Sequence, residues 1–516
     1  MSRSEHPVRR ARRQAGRKAR RAERSGRLPQ PPWRQLKLQL PPAEVLRPEQ
    51  LEAIHHASLT ILEEQGMVFL LDEARAILAR AGVHVSQGEP RVKLDRHFVL
   101  DAISRAPESF TLHARNPAHN LTMGGRHLNV CSVASAPNAS DLDGGRRSGN
   151  RRDFQNFIRL GQSLNIVHLF GGYPVEPIDL DPATRHLDAI YDLATLSDKV
   201  FTIYSLGEAR NRDALEMIRL ARGLSHEALD EQPSLVTIIN TNSPLVLDEP
   251  MLTGIIEMAR RNQVVVVTPF TLAGAMAPVT LAGALAQQNA EALAGIAFAQ
   301  TVRPGAPVVY GGFTSNVDMK SGSPAFGTPE YMLAAQAGGQ LARHYRLPYR
   351  SSNVNAANSL DAQSAYESVF ALWGAVMGQT NMLMHGAGWM EGGLCASFEK
   401  MVLDADLLQM VATYLEQFDV DDSTLALEAI ADVGPGGHFF GTPHTQARYE
   451  SAFYSPLISD WRNFETWQEA GEPTAPQKAN AIYRQLLADY TPPPIDEAVD
   501  EALKDYCARQ KSKPSA

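Results

Sequence analysis

The chain has 516 residues, 44% of them apolar and 7% aromatic, with a formal charge of −8. That is enough for one large domain with appendages, or for two or three ordinary ones, and no stretch approaches the ~20 uninterrupted apolar residues of a membrane span. The three cysteines, Cys131, Cys395 and Cys507, lie far apart with no CxxC pair, which argues against a disulfide framework or a thiolate zinc site and fits a reducing cytoplasm.

Residues 1–27 hold ten Arg and one Lys against two Glu, a local charge of +9 that leaves the rest of the chain near −17. With no apolar run this is not a secretory signal. The expectation is a solvated, disordered basic tail over 1–40, closed by Pro29, Pro31 and Pro32. The acidic body shows no aromatic–basic interleaving, so no nucleic-acid partner is expected.

From Arg47 to Gly66, Leu51, Ile54, Ala57, Leu59, Ile61 and Leu62 recur at helical spacing, and Gly66 offers a stop. A second amphipathic stretch, Asp72 to Ala81, ends at Gly82. Residues 93–150 turn β-like and turn-rich, so 41–150 reads as a helical and β cap ahead of the main domain. Beyond it, short apolar runs alternate with helical patterns. The runs are Ile166–Tyr173, Val200–Ser205, Leu235–Asn240, Val264–Pro269, Pro307–Phe313, Tyr349–Asn353 and Asn381–Gly386. Their spacing matches strand–helix units with right-handed crossovers. Seven such units, with an eighth strand sought after Gly386, predict an α/β fold of the (β/α)8-barrel type over 151–460. An open doubly wound sheet is the alternative, but Gly171-Gly172-Tyr173-Pro174 is not the glycine-rich phosphate loop it would carry. The apolar stretch Ala273–Ala299 is broken by Pro278, Gln287, Gln288, Asn289 and Glu291 and reads as a buried helix with polar punctuation. Residues 461–516 form a helical extension interrupted at Pro492, Pro493 and Pro494.

In such a barrel the active mouth is lined by polar residues just past the strand ends. Those positions hold Glu176, Asn240 to Ser243, Tyr310 to Phe313, Asp318, Lys320, Asn353, Asn355 and the loop His385 to Gly393. Plainer roles compete: Ser243 before Pro244 closes a turn, Asp318 caps the next helix, and His385 is a satisfied core histidine. Glu391, a carboxylate among glycines beside an aromatic, suits a mouth open to a cation. Tyr310, Phe313, Phe270 and Trp389 also fall near strand ends, where ring faces attract a quaternary ammonium by about 0.5–2 kcal/mol each. Phe270 has the strongest claim to ordinary packing.

Several stretches, in order, resemble one family: "AGAMAPVTLAGALAQQNAEALAGIAFAQTVRPGAPVVYGG" (273–312), "PVEPIDLDPATRHLDAIYDLATLSDKVF" (174–201), "DAQSAYES" (361–368), "HGAGWMEGG" (385–393) and "GPGGHFFGTPHT" (434–445). With "LDGGRR" (142–147) and the Arg-rich leader, they are similar to the trimethylamine methyltransferase family over roughly residues 45–505. The resemblance implies a barrel methyltransferase that passes a methyl group from a methylated amine to the Co(I) corrinoid (cobalamin) of a separate carrier protein, with no cofactor bound tightly to this chain. In keeping with a separate carrier, the only Asp-x-His is Asp95-Arg96-His97, and Leu100 stands where a corrinoid-binding motif places Gly.

The archaeal trimethylamine enzymes carry pyrrolysine shortly before the "DAQ" stretch. Aligning back from Asp361 puts that position at or next to Val354, between Asn353 and Asn355, and no pyrrolysine is present. The chain thus resembles the branch that uses quaternary amines such as glycine betaine. On that reading Glu391 and His385 are the catalytic candidates. Trp389, Tyr310 and Phe313 surround the ammonium, and Asn353, Asn355 and Asp318 complete the substrate site. Lys320 and Arg350 are alternative carboxylate partners, and no metal is expected. Trimethylamine as donor, a folate as acceptor, and a betaine-binding protein without catalysis are the alternatives. A homo-oligomer is expected by analogy alone.

Overall fold

The computed structural model describes residues 28–513. Eight parallel strands occur in chain order: β1 (His127–Ser132), β2 (Leu169–Phe170), β3 (Val200–Tyr204), β4 (Val236–Thr241), β5 (Val264–Ala273), β6 (Val308–Gly311), β7 (Tyr349–Ser352) and β8 (Met382–Ala387). Each pairs with its chain neighbour, and β8 returns to β1 through Met382 opposite Asn129 and Leu383 opposite Val130. The ring is closed, as the alternation of runs and helical patterns predicted. A helix follows each strand: α1 (Arg151–Ser163), α2 (Arg185–Leu196), α3 (Glu208–Ala221), α4 (Glu249–Arg260), α5 (Leu281–Val302), α6 (Pro329–His344), α7 (Ala362–Met377) and α8 (Phe398–Leu415).

The eighth strand is not beyond Gly386. It is β1, 34 residues before β2's run begins in the region read as cap, so the barrel starts ahead of residue 150. The sequence His-Leu-Asn-Val-Cys-Ser puts Leu128 and Val130 against the helices while Asn129 and Cys131 face inward. That even spread of polar and apolar residues hides the strand from a search for apolar runs.

Alternation assigns the two faces. Cys131, Leu169, Val200, Val236, Ile238, Val264, Val266, Val309, Met382 and Met384 fill the barrel. The hairpin Ser109–Leu112/Leu121–Gly124 joins them: its buried Leu112, Leu121 and Met123 plug the N-terminal end of the barrel, each worth about 1.5–3 kcal/mol. Chemistry is left to the opposite end.

Individual helices follow from local rules. Asn150 accepts from the Asp153 amide at the start of α1 (2.9 Å). Its other end is closed by buried Lys199, whose Nζ donates to the carbonyls of Gly161, Leu164 and Val167 at 2.7–3.0 Å, and burial draws its pKa down to about 7. Helix α5 is buried nearly all round, and its polar residues each have work. Gln287 donates to Met276 O (3.0 Å), Gln288 accepts from Thr314 (2.6 Å), and Asn289 donates to Ser58 and Tyr345 (both 2.9 Å). Buried Glu291 accepts from Thr241, from Ser243 Oγ (2.6 Å) and from the Leu245 amide (2.9 Å), fixing the turn after β4. Ser243 is therefore a turn residue, as its place before Pro244 suggested.

The basic leader 1–27 lies outside the described residues. Residues 28–40, expected to continue it as a disordered tail, instead lie on the barrel. Gln30 donates to Ser163 O (3.0 Å), Asn165 to Pro31 O (2.9 Å), Leu36–Lys37 pairs with β1, and Leu38 is fully buried. After α8, residues 416–470 run through short helices with Phe418, Phe440, Phe453 and Trp461 exposed. Helices Ala475–Ala488 and Glu497–Lys511 then return to the barrel, where Asn480 meets Glu399 (2.8 Å) and Tyr506 meets Asp213 (2.8 Å). Among the described residues no helix is long and apolar enough to cross a membrane.

Candidate active site

The C-terminal rim is extended on two sides. Strand β5 runs on past the barrel, and its residues from Phe270 to Ala273 pair with Phe313 to Asn316. Across the mouth, a small sheet is built from Asn138–Asp141 and Gly145–Ser148 after β1, together with Trp389–Met390 and Cys395–Ser397 after β8.

These extensions bring Trp389, His385 and Phe313 together. His385 lies 5.1 Å from Trp389 in a near-parallel stack (28°) and 6.0 Å from Phe313, edge on. Phe270 is 5.0 Å from Phe313, and Phe326, which the sequence did not single out, lies 5.3 Å from Trp389 and 5.8 Å from Phe313. The place of His385 needs explanation, because strict alternation from inward Met384 would turn it outward. The register of β8 against β1 shifts between Leu383 and Ala387, and His385 itself has φ +54°. This bulge re-aims the ring into the mouth, where Nδ1 meets Ser352 Oγ at 3.1 Å. Burial, and secondarily the charge of Arg350, holds its pKa well below the usual histidine value, so the ring is neutral.

Arg350 of β7 is the second feature of the mouth. It is 3% exposed; Nη1 donates to Gly312 O at 3.2 Å and the guanidinium lies 5.0 Å from the centroid of the Phe313 ring. Its Nε has no hydrogen-bond partner, and among the described residues no carboxylate pairs with it. Burial draws its pKa down to about 10, which leaves it charged at neutral pH. A buried cation without a counter-ion is costly, and this one lies against the Phe313 ring. The sequence offered Arg350 as an alternative carboxylate partner, beside Lys320; its burial in the strand Tyr349–Ser352 without a counter-ion is what folding adds.

The remaining candidates separate. Tyr310 faces the helices, fully buried between the barrel wall and α5, where its hydroxyl donates to Asn289 Oδ1 (2.9 Å). It is not in the mouth, because Val309 takes the inward position and Tyr310 is its odd neighbour. Asn355 is buried and spent on its own loop, donating to Ser364 O (2.7 Å) and accepting from the Ala357 amide (3.0 Å). Asp318 is exposed and accepts from the Lys320 and Ser321 amides (3.2 and 3.1 Å), so it caps a turn and not the next helix, whose N-cap is Thr328; Lys320 beside it is exposed too. Asn353 donates to Gly386 O (3.0 Å) and keeps a buried, unpartnered Oδ1. Glu391, at φ +54°, is met by Arg146 at 2.8 Å, so its charge is compensated within the protein. Glu176, on the loop after β2, is raised by burial against the milder pull of Arg185, 3.9 Å away. Asp95 only caps its helix, through the His97 and Phe98 amides.

The family described as "Trimethylamine methyltransferase (MTTB)" matches residues 13–514. A glycine betaine methyltransferase from Desulfitobacterium hafniense (strain Y51) is 37% identical over 472 residues, 91% of this chain and 98% of its own length. The trimethylamine methyltransferase MttB2 from Methanosarcina mazei is 29% identical over 469 residues, covering 89% and 93%. Among solved structures, a hydroxylamine complex of MtmB is similar over 89% of this chain and 92% of that one, at 10% identity and a TM-score of 0.46.

Proposed function

The chain belongs to the trimethylamine methyltransferase family, and we propose that it moves a methyl group from a betaine-type quaternary amine to the Co(I) corrinoid of a separate carrier protein. The observation that carries the substrate class is the pairing of an aromatic cluster with an unpaired buried guanidinium. Trp389, Phe313, Phe326 and Phe270 offer ring faces to an ammonium, and Arg350 offers its free N–H groups to a carboxylate. A zwitterion such as glycine betaine satisfies both. The 37% relative named for that substrate supports the same reading.

The chemistry asks little of the protein beyond placement. The C–N bond breaks with its electron pair left on nitrogen, which departs as a neutral tertiary amine, and the methyl group goes to the acceptor; no proton moves. The corrinoid supplies the nucleophile. This chain's residues hold one N-methyl group towards the open mouth, exclude water with aromatic surface, and fix the carboxylate end, so that orientation provides the rate. Neutral His385 takes no proton. It stacks on Trp389, and with Ser352 and Asn353 it completes the polar wall. Glu391 with Arg146 stands beside the mouth as a nearly neutral pair, and its residual field favours the cation.

The test is to incubate the protein with free Co(I) cobalamin, then with its carrier, and a panel of betaines, choline and trimethylamine, following loss of the Co(I) absorbance. Consumption with a carboxylate-bearing quaternary amine and none with trimethylamine is expected. Turnover of trimethylamine alone would overturn the reading, and tight betaine binding without turnover on the carrier would favour a binding protein.

A further inference from the structure

The outer face of the barrel, away from the mouth, carries a second cluster. The N-terminal helix Pro48–Thr60 lies against α5, and its Glu52 and His55 fall three residues apart on one helix face. His344, the last residue of α6, meets them. One ligand atom from each of Glu52, His55 and His344 lies within 4.8 Å of the others. His344 Nδ1 is 3.8 Å from Glu52 Oε1, and the two imidazole rings are 4.9 Å apart.

We propose that Glu52, His55 and His344 form a site for a divalent transition-metal ion of the zinc type. Two imidazoles and a carboxylate are an accepted zinc ligand set, with water at the open position. Bonds of about 2.0–2.2 Å require the three ligand atoms to close by about 1 Å, which the exposed Glu52 and half-exposed His344 side chains allow.

The second observation is how His55 is held. Its ring is buried, and Nδ1 lies 2.7 Å from the Tyr345 hydroxyl. Tyr345 accepts from Asn289 Nδ2 (2.9 Å), and Asn289 Oδ1 accepts from Tyr310 (2.9 Å). With Nδ1 engaged by Tyr345, Nε2 is the ring nitrogen left for an ion, and binding there requires the tautomer in which Nδ1–H donates to the Tyr345 oxygen. A hydrogen bond from one ring nitrogen is the usual partner of a ligating histidine. The network is anchored in β6, so the ring is oriented before any ion arrives. The ion would staple the N-terminal helix to the end of α6.

The experiment is calorimetric titration of zinc chloride into the untagged, chelator-stripped full chain, with cobalt(II) absorption as a second readout of the ligand geometry. One ion per chain is expected, bound at least tenfold more weakly in His344→Ala and in Glu52→Gln, while His84→Ala binds as the parent does. The thermal midpoint should rise with zinc in the parent and in neither site variant. Unchanged affinity in both site variants, or no saturable binding below about 1 mM (about −4 kcal/mol), would overturn the proposal.

Discussion

Replacing Arg350 with Met removes the guanidinium and keeps most of the side-chain volume. In the free protein that group makes one hydrogen bond, to Gly312 O at 3.2 Å, and lies 5.0 Å from the Phe313 ring centroid. It has no carboxylate partner among the described residues, so its unused donors are available to a ligand. Two charge-assisted hydrogen bonds of about 1.5–3 kcal/mol each set the gain on binding a carboxylate. Removing one partner of such a buried pair costs about 2–5 kcal/mol. At 1.4 kcal/mol per tenfold, betaine affinity should fall roughly 30-fold to several thousand-fold. Choline, with the same ammonium and no carboxylate, should lose less than about threefold. Loss of an uncompensated buried charge is neutral or stabilising, so the thermal midpoint should not fall. Calorimetric binding of betaine and choline to the parent and Arg350→Met measures both. A betaine-to-choline preference that survives the substitution, or an equal loss for the two ligands, would refute the assignment.

Trp389→Ala should raise the betaine KM by about 10- to 100-fold, from lost cation–π attraction of about 0.5–2 kcal/mol together with lost apolar contact. Glu391→Gln, which leaves Arg146 unopposed beside the mouth, should raise it several-fold through repulsion of the ammonium; wild-type kinetics in both variants would sink the proposed site. Tyr310→Phe should cost about 0.5–1.5 kcal/mol of stability, read from the urea midpoint, with kcat/KM unchanged. A kinetic defect without a stability defect would return Tyr310 to the mouth. Burial pulls buried His168 to about 3 and lowers His385 as well. A histidine with a depressed folded pKa takes its proton first in the unfolded chain, so stability is full above about pH 6.5 and declines as the pH falls towards 3. Between pH 7.5 and 5.5 each such histidine should cost about 1.4 kcal/mol, and in urea titrations His168→Gln should flatten that slope; an unchanged slope would show that His168 does not carry it.

Seven of the eight barrel strands were legible because most of β2 to β8 are short apolar runs at regular spacing between helical patterns, and that spacing also marked β7, whose Tyr-Arg-Ser-Ser is largely polar. The polar punctuation of α5 was legible too, although its meaning was not. Gln287, Asn289 and Glu291 serve partners at Met276, Tyr345 and Ser243 that lie outside their own helix. Strand β1 escaped because Asn129 and Cys131 face a barrel interior closed below by a hairpin, so its polar residues did not mark an exposed face.

The site divided along the same line. Proximity to a strand end suggested Trp389, Phe313 and His385, whose rings the structure brings together at the barrel rim, but it suggested Tyr310 as well. Only the parity of β6 sends that ring to the helix layer, and only the bulge at φ +54° sends His385 the other way. Arg350 gained its meaning when folding buried it without a counter-ion, and Glu391 lost some of its own when a hairpin 245 residues earlier delivered Arg146. The meeting of Glu52 and His55 with His344 is likewise a product of tertiary packing. The barrel, the family and the aromatic residues near the strand ends can be read from the chain because they rest on local pattern and order. Which side chains keep an unanswered charge or an open valence depends on neighbours distant in the chain, and those neighbours meet only on folding.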